Sequence, residues 1–121
     1  MKIAIPLIES RGENSMISEH FGHAPYFGFV ELKEDGSYSV EVITNPLESH
    51  GPGDIPNYLN KNGVNILIAR GIGGRAVEFF NRLGIKVIRG AYGTVKELIE
   101  NFKEEKLQDT DYEVKEKFHE H

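Results

Sequence analysis

The sequence predicts an α/β protein in which one mixed sheet, part antiparallel and part parallel, is covered by helices. Three observations carry that prediction. Two β-rich runs, residues 26–33 and 38–45, are split by Glu34-Asp35-Gly36-Ser37, and an Asp-Gly pair between such runs is a strong hairpin signal. Two compact apolar runs, residues 64–69 and 85–88, flank a stretch of helical period, the pattern of a parallel crossover. Thr94 with Glu97 three positions on forms a capping box ahead of a further amphipathic stretch.

Taken in order, residues 2–8 form a short apolar strand, and residues 9–18 (ESRGENSMIS) are polar and read as a loop. In the second hairpin strand Val40, Val42 and Thr44 alternate with Ser39, Glu41 and Ile43, which leaves one face wet. Asp54 is placed to cap a short helix with Ile55, Tyr58 and Leu59 on one face and Gly63 at its end. After the strand VNILIA, residues Ile72, Ala76, Phe79, Phe80 and Leu83 recur at helical spacing, and Gly84 supplies the stop. Val95, Leu98, Ile99 and Phe102 then fall at i, i+3, i+4 and i+7 behind the capping box. The order is β, a β–β hairpin, then α, β, α, β, α. It predicts a parallel half-sheet extended by the antiparallel hairpin. Residues 1–107 read as a single domain, and 108–121 as a charged C-terminal tail, frayed or weakly helical.

Composition narrows the chemistry. A chain of 121 residues buries roughly two thirds of its unfolded surface, so it folds without staples. No apolar run approaches the ~20 residues of a membrane helix. The opening MKIAIPLIES lacks a small-residue cleavage site and reads as a first strand, so the expectation is a cytoplasmic protein with no membrane partner. The absence of cysteine excludes disulfides, thiolate catalysis and a thiolate-held metal site. A net charge of −5 argues against nucleic acid. That charge is uneven: four Lys against seven Asp or Glu in residues 103–121 contribute −3, leaving −2 for residues 1–102. Residues 70–89 carry Arg70, Arg75, Arg82, Lys86 and Arg89 against Glu78 alone, a local +4.

The strand VNILIA runs into Arg70-Gly71-Ile72-Gly73-Gly74-Arg75-Ala76 and then into a helix. In that context glycines let the backbone turn tightly and present free amides at a helix N-terminus, where the dipole favours an anion. The flanking arginines add fixed charge and forked donors. The bland alternative is a tight turn whose glycines merely permit close packing. Gly71, Gly73 and Ala76 also satisfy the dinucleotide fingerprint. The acidic residue that should follow about 20 positions on is replaced by Ile88-Arg89-Gly90. Arg89 would suit a 2′-phosphate, but the chain is too short for two mononucleotide halves.

His20 and His23, three apart around a Phe-Gly pair, would share one face of a helical turn, and imidazole is a common transition-metal ligand. His50, in a Gly-Pro loop, is a candidate third ligand. Each histidine taken alone reads as a surface or hydrogen-bonded loop residue, and His119 and His121 in the tail as solvated. No nucleophile elbow, His-Glu-x-x-His or Walker motif occurs, and the first strand offers no carboxylate for a metal-dependent nuclease.

Lys-Ile-Ala-Ile-Pro at residues 2–6 is followed by Ile17-Ser18-Glu19-His20-Phe21-Gly22-His23-Ala24-Pro25-Tyr26-Phe27. Later come Gly63-Val64, then Ile68-Ala69-Arg70-Gly71-Ile72-Gly73-Gly74-Arg75-Ala76, then Leu83-Gly84-Ile85-Lys86-Val87. In this order these motifs resemble the dinitrogenase iron–molybdenum cofactor biosynthesis family, which includes NifX and the C-terminal domain of NifB. The resemblance covers about residues 1–107. It implies a ribonuclease H-like, three-layer fold: a five-stranded mixed sheet with helices on both faces. It also implies binding or carriage of an iron–sulfur or molybdenum-containing cluster, without catalysis, in exchange with a cluster donor or acceptor protein. Carried over by residue, the strongest match is His20-Phe21-Gly22 with the Gly71–Arg75 loop; joined to the residue reading above, it gives Arg70, Gly71, Ile72, Gly73, Gly74 and Arg75 as the expected cofactor-binding residues and His20, His23 and His50 as the expected metal ligands. Where members commonly have Gly-Gly-Ile-Gly-Gly, this chain has Arg70 first; an arginine there either strengthens anion binding or obstructs a bulky cluster. Two other readings stand beside the carrier: a module binding a nucleotide or other phosphate-bearing anion at residues 71–75, and a ligand-free protein–protein adaptor. If the first and fourth strands are parallel neighbours, residues 20–23 and 71–75 leave the sheet at the same end and line one pocket.

Overall fold

The sheet grows outward from strand β1 (Lys2–Leu7), in which every residue from Ile3 to Leu7 is buried, as a central strand covered on both faces requires. On one side β1 pairs antiparallel with β2 (Tyr26–Leu32), in register from Lys2↔Glu31 to Leu7↔Tyr26. Strand β2 pairs antiparallel with β3 (Tyr38–Thr44). On its other side β1 pairs parallel with β4 (Ile66–Ile68), which pairs parallel with β5 (Lys86–Ile88). The resulting order is β3-β2-β1-β4-β5. The computed structural model describes residues 1–47, 51 and 53–110.

Alternation along β1 divides the core in two. Ile3, Ile5 and Leu7 pack with Val95, Leu98 and Ile99 of helix α3 (Val95–Lys103) on one face. Ala4 packs on the other face with Ile55 and Leu59 of α1 (Asp54–Lys61) and Phe80 of α2 (Gly74–Arg82). Two parallel crossovers place α1 and α2 together on one side, and the chain after β5 returns along the other as α3. This is the ribonuclease H-like arrangement in three layers. Among the described residues no helix is long and apolar enough to cross a membrane.

The local signals act much as the sequence predicts. Gly36 takes φ +88° in the hairpin turn, and Asp35 accepts hydrogen bonds from the backbone N–H and hydroxyl of Ser37, which hold its carboxyl below the usual range. Thr94 Oγ1 accepts from Glu97 N while Glu97 Oε1 accepts from Thr94 N, closing the capping box. In β3, Tyr38, Val40 and Val42 pack on the α3 side, and Ser39 and Glu41 are exposed opposite them.

Two details differ from the sequence-based expectation. Asp54 is the first helical residue rather than the cap; Gly53 takes the cap position, and the Asp54 carboxylate accepts from Gly51 N at 2.7 Å. The Asp54 charge still lies in the first turn, where the helix dipole favours it. The polar stretch 9–18 is more than a loop. It holds a 3-10 turn at Gly12–Asn14, and then Met16 and Ile17 bridge Thr94 and Leu7 respectively. Single bridges of this kind leave no periodic trace in a sequence, because only backbone atoms and one buried side chain, Ile17, are involved.

Beyond α3 the chain turns back toward the end of β5. Asp109 accepts from Arg89 Nε at 2.9 Å and Nη2 at 3.1 Å and from Arg89 N at 2.8 Å, and Thr110 N donates to Arg89 O. Hydrogen bonding from Arg89 holds the Asp109 carboxyl below its ordinary value. A carboxylate depressed on folding adds stability above its unfolded pKa and loses it as pH falls through the folded value. Asp109→Asn is therefore expected to melt slightly lower than the parent at pH 5–7, by no more than about 1 kcal/mol for so exposed a pair. The gap should close as pH falls toward ~2. Thermal melts across that range check this; a gap that stays constant would mean that Asp109 acts through packing and not through charge.

Candidate functional site

The carboxyl ends of β1, β4 and β5 all open at one end of the sheet, and the loops leaving them are stitched together by backbone hydrogen bonds. Phe21 N donates to Gly71 O at 2.9 Å, and Gly71 N donates to Glu19 O at 2.9 Å, making a parallel bridge between His20 and Gly71. Gly90 N donates to Arg70 O at 3.0 Å, Ala91 N to Ala69 O at 3.1 Å, and Ile17 N to Gly93 O at 3.0 Å. The structure thus joins the segment Glu19–Phe21 directly to Gly71, at the head of each of the two predicted loops. It does not place His50, which lies outside the described residues.

Phe21 explains the placement of the two histidines. It is buried, edge-on to Phe80 with centroids 5.6 Å apart and tilted against Phe27. That anchor fixes the 3-10 turn Phe21–His23, while His20 is half-buried and His23 exposed on either side of it. The His20 and His23 rings meet edge to face with centroids 5.6 Å apart. Such a separation is compatible with both rings reaching one metal centre, given bonds of ~2 Å to each nitrogen. Among the described residues no group of three or more His, Cys, Asp or Glu forms a metal-holding cluster.

Two glycines of the second loop, Gly73 and Gly74, have no internal explanation. Gly73 has φ −71° and ψ 152°, values any residue adopts, and no described atom would lie within 4 Å of a Cβ at Gly73 or at Gly74. Gly84, by contrast, takes φ +77° and is required by the backbone. Neither strain nor close packing therefore calls for glycine at 73 and 74. What their lack of side chains does is bare the start of α2, where no side chain caps the helix. The first-turn amides there have no intrahelical acceptor, and together with the dipole they form a positive patch. Arg75 stands exposed in that first turn.

The local +4 of residues 70–89 is not one patch. Arg82 lies over Phe79 at the far end of α2, and Lys86 opens β5 at the opposite end of the sheet. Arg89 is neutralised by Asp109, which also engages the guanidinium that a 2′-phosphate would need. Arg70 and Arg75 remain at the loop cluster. Arg70 lies over the ring of Tyr92, 4.7 Å from its centroid. The sequence reading passed over Tyr92. Its signal was there to find: an aromatic between Gly90 and Gly93 directly after a parallel strand, the third loop at the same carboxyl end. A cavity of about 690 Å³ lies at the other end, but there Lys33, Lys86 and Lys103 face Glu34, Asp35 and Glu105, so it has no net charge to offer a ligand.

A family model described as dinitrogenase iron-molybdenum cofactor matches residues 1–105. The chain belongs to this family. The match spans all five strands, all three helices and the loop cluster, so family and fold coincide along the described chain. The uncharacterized protein MJ0580 of Methanocaldococcus jannaschii is 35% identical over 111 residues, covering 89% of this chain and 90% of that one. The crystal structure of PH0822 superposes with a TM-score of 0.81 at 41% identity, covering 91% of this chain and 96% of that one. An NMR structure from Thermotoga, TM1290, described as a candidate NifB protein of the DUF35 family, gives 0.73 at 34% identity, with 93% and 96% covered. These comparisons relate the chain to cofactor assembly or carriage.

Within this family member, Gly74 permits a two-sided test. Gly74→Ala removes backbone freedom from the unfolded chain without a clash and should stabilise the fold by about 0.4–1 kcal/mol. The same methyl would stand in front of the bare amides and weaken any ligand held there. Chemical denaturation and ligand titration of one variant read both effects. A variant that gains stability with unchanged ligand affinity would show that the glycine leaves no functional opening.

Proposed function

We propose that the loop cluster carries an anionic metal–sulfide cargo, an iron–sulfur or molybdenum-containing cluster, between a donor and an acceptor protein, without catalysing a reaction. The observation that carries this reading is the pair Gly73-Gly74, unexplained by backbone or packing, at an uncapped helix N-terminus beside the His20–Gly71 bridge. Membership of the dinitrogenase iron–molybdenum cofactor family supports the class of cargo. The roles follow from the chemistry of each group. The amides of Gly73, Gly74 and Arg75 meet negative charge, and the Arg75 guanidinium adds a charge-assisted contact. His20 and His23 supply neutral nitrogen ligands. A site with no thiolate holds its cargo less firmly than a cysteine site, which suits a protein that must hand it on.

Anaerobic reconstitution of the full chain with iron, sulfide and molybdate tests the proposal. The parent should elute with bound metal and absorption beyond that of the polypeptide. Arg75→Ala should bind about tenfold more weakly, the lower end for a charged contact because Arg75 is exposed. His20→Ala should change the absorption spectrum by removing a ligand. A parent that elutes without metal, but whose melting temperature rises with a mononucleotide, would replace the carrier with the nucleotide-binding reading. A His20→Ala spectrum identical to the parent's would return His20 to a purely structural role.

A further inference from the structure

The two edges of the sheet are finished differently. At the β5 edge the backbone of Arg89 is occupied: its N–H donates to Asp109 Oδ1 at 2.8 Å, and its carbonyl accepts from Thr110 N at 3.1 Å. The β3 edge has no such cover. Lys33 N donates to Ser37 O and Asn45 N to Pro25 O, which fixes the phase of the β2–β3 ladder. Ser39, Glu41 and Ile43 therefore turn their N–H and C=O groups toward β2, and Tyr38, Val40, Val42 and Thr44 turn theirs outward. None of those outward groups has a hydrogen-bond partner among the described residues. An open edge is usually blunted by proline, lysine or a bulge. Strand β3 has none of these, and its register with β2 is unbroken from Tyr38 to Thr44. The one charge on it is Glu41, exposed on the face opposite Tyr38, Val40 and Val42.

We infer that β3 is a pairing edge whose partner is a second copy of this chain, joined antiparallel into one continuous sheet about a two-fold axis at Val40. The register follows from hydrogen bonding and charge. Outward groups must meet outward groups, so Tyr38, Val40, Val42 and Thr44 pair among themselves. Centring the pair on Glu41 sets the two Glu41 carboxylates directly opposite each other, which is destabilising. Centring it on Val42 sets Tyr38 against Pro46, which has no N–H to give. Centring it on Val40 avoids both faults. Tyr38 then meets Val42 of the second copy and Val40 meets its own counterpart, aromatic and β-branched pairs of the favourable kind. On the other face Glu41 meets the hydroxyl of Ser39. The strand is thus complementary to itself in one register. The contact is one strand wide, smaller than the ~1,200 Å² of a standard stable interface, so the dimer is a reversible one. The two copies run antiparallel, which sends their loop clusters to opposite ends of the joined sheet and leaves each one open. The inference is therefore independent of the carrier reading.

Sedimentation velocity of the full chain over a rising concentration series tests this, with hydrogen exchange of assigned amides at both ends of the series. The parent should pass from monomer to dimer, and the amides of Tyr38, Val40 and Val42 should become protected as it does. Val40→Pro removes an outward N–H that the folded monomer does not use, at an edge position that tolerates proline. It should stay monomeric at every concentration. Ser39→Glu changes an exposed residue, which keeps the test independent of any cost of proline to the fold. It sets a carboxylate against Glu41 of the second copy on both sides of the axis and should weaken dimerisation about 2- to 30-fold, the range for two cross-strand pairs. Adding Glu41→Lys makes both contacts attractive and should restore association to at least the parent's. Because the chain has no cysteine, the axis can also be read directly. Val40→Cys should link to its own copy on oxidation, since directly paired Cα atoms ~5.5 Å apart lie within reach of a disulfide, and Val42→Cys should not. A parent that is monomeric throughout overturns the inference. So does a dimer that leaves those amides unprotected, that survives Val40→Pro, or that Ser39→Glu does not weaken. Linkage through Val42→Cys in place of Val40→Cys overturns the register and the inference with it.

Discussion

Two backbone hydrogen bonds, from Phe21 N to Gly71 O and from Gly71 N to Glu19 O, are the constraint on which the site depends. They extend the parallel pairing of β1 and β4 past the ends of the strands and lock the histidine turn onto the glycine loop. Such a bond depends on where the two chains lie and on neither side chain. Parallel pairing at the sheet centre supplies that placement, because neighbouring parallel strands release their chains at the same end. The hairpin of β2 and β3 contributes by covering the other side of β1, which makes β1 a buried central strand.

Anchoring and exposure are divided between adjacent residues. Phe21 is driven into the core against Phe80 and Phe27, and the same turn therefore presents His20 and His23 outward. In the next loop the apolar strand Ile66–Ile68 ends in buried Ala69 and half-buried Arg70, after which Gly73 and Gly74 are exposed. Each segment has a rigid base and an unencumbered tip. Rigid bases hold ligand-binding groups in place, and tips without side chains leave backbone amides to do the binding. The stability forgone at Gly73 and Gly74 is small beside the core formed by two clusters of buried side chains on the two faces of the sheet.

Charge is likewise arranged by the fold and not by the chain. Five cations lie close in sequence from Arg70 to Arg89, yet a βα unit sends its residues to both ends of the sheet. Arg89 turns to Asp109, a residue of the acidic tail region that sequence reading set apart from the domain. Net charge along a window therefore overstates the field at the site. At the loop cluster itself stand the exposed Arg75 and the start of α2 without a side-chain cap.

The sequence by itself determined the class of fold, the order of its elements and the two segments that meet at the site. Its evidence was local: the Asp-Gly turn, the Thr94–Glu97 capping box, the period of each helix, and the His-Phe-Gly-His and Gly-Ile-Gly-Gly motifs. Short-range rules suffice for these because each depends on residues within a few positions of one another. Tertiary structure alone decided that Gly73 and Gly74 face open space, that Arg89 is occupied by Asp109, and that Tyr92 underlies Arg70. It also decided that Met16 and Ile17 bridge Thr94 and Leu7, and that Gly53 rather than Asp54 caps α1. These facts turn on contacts between residues 3 to 78 positions apart, or on the geometry of a single backbone turn. No periodicity records them, because they are set by which strands lie side by side and by which polar atoms find partners once the sheet has formed.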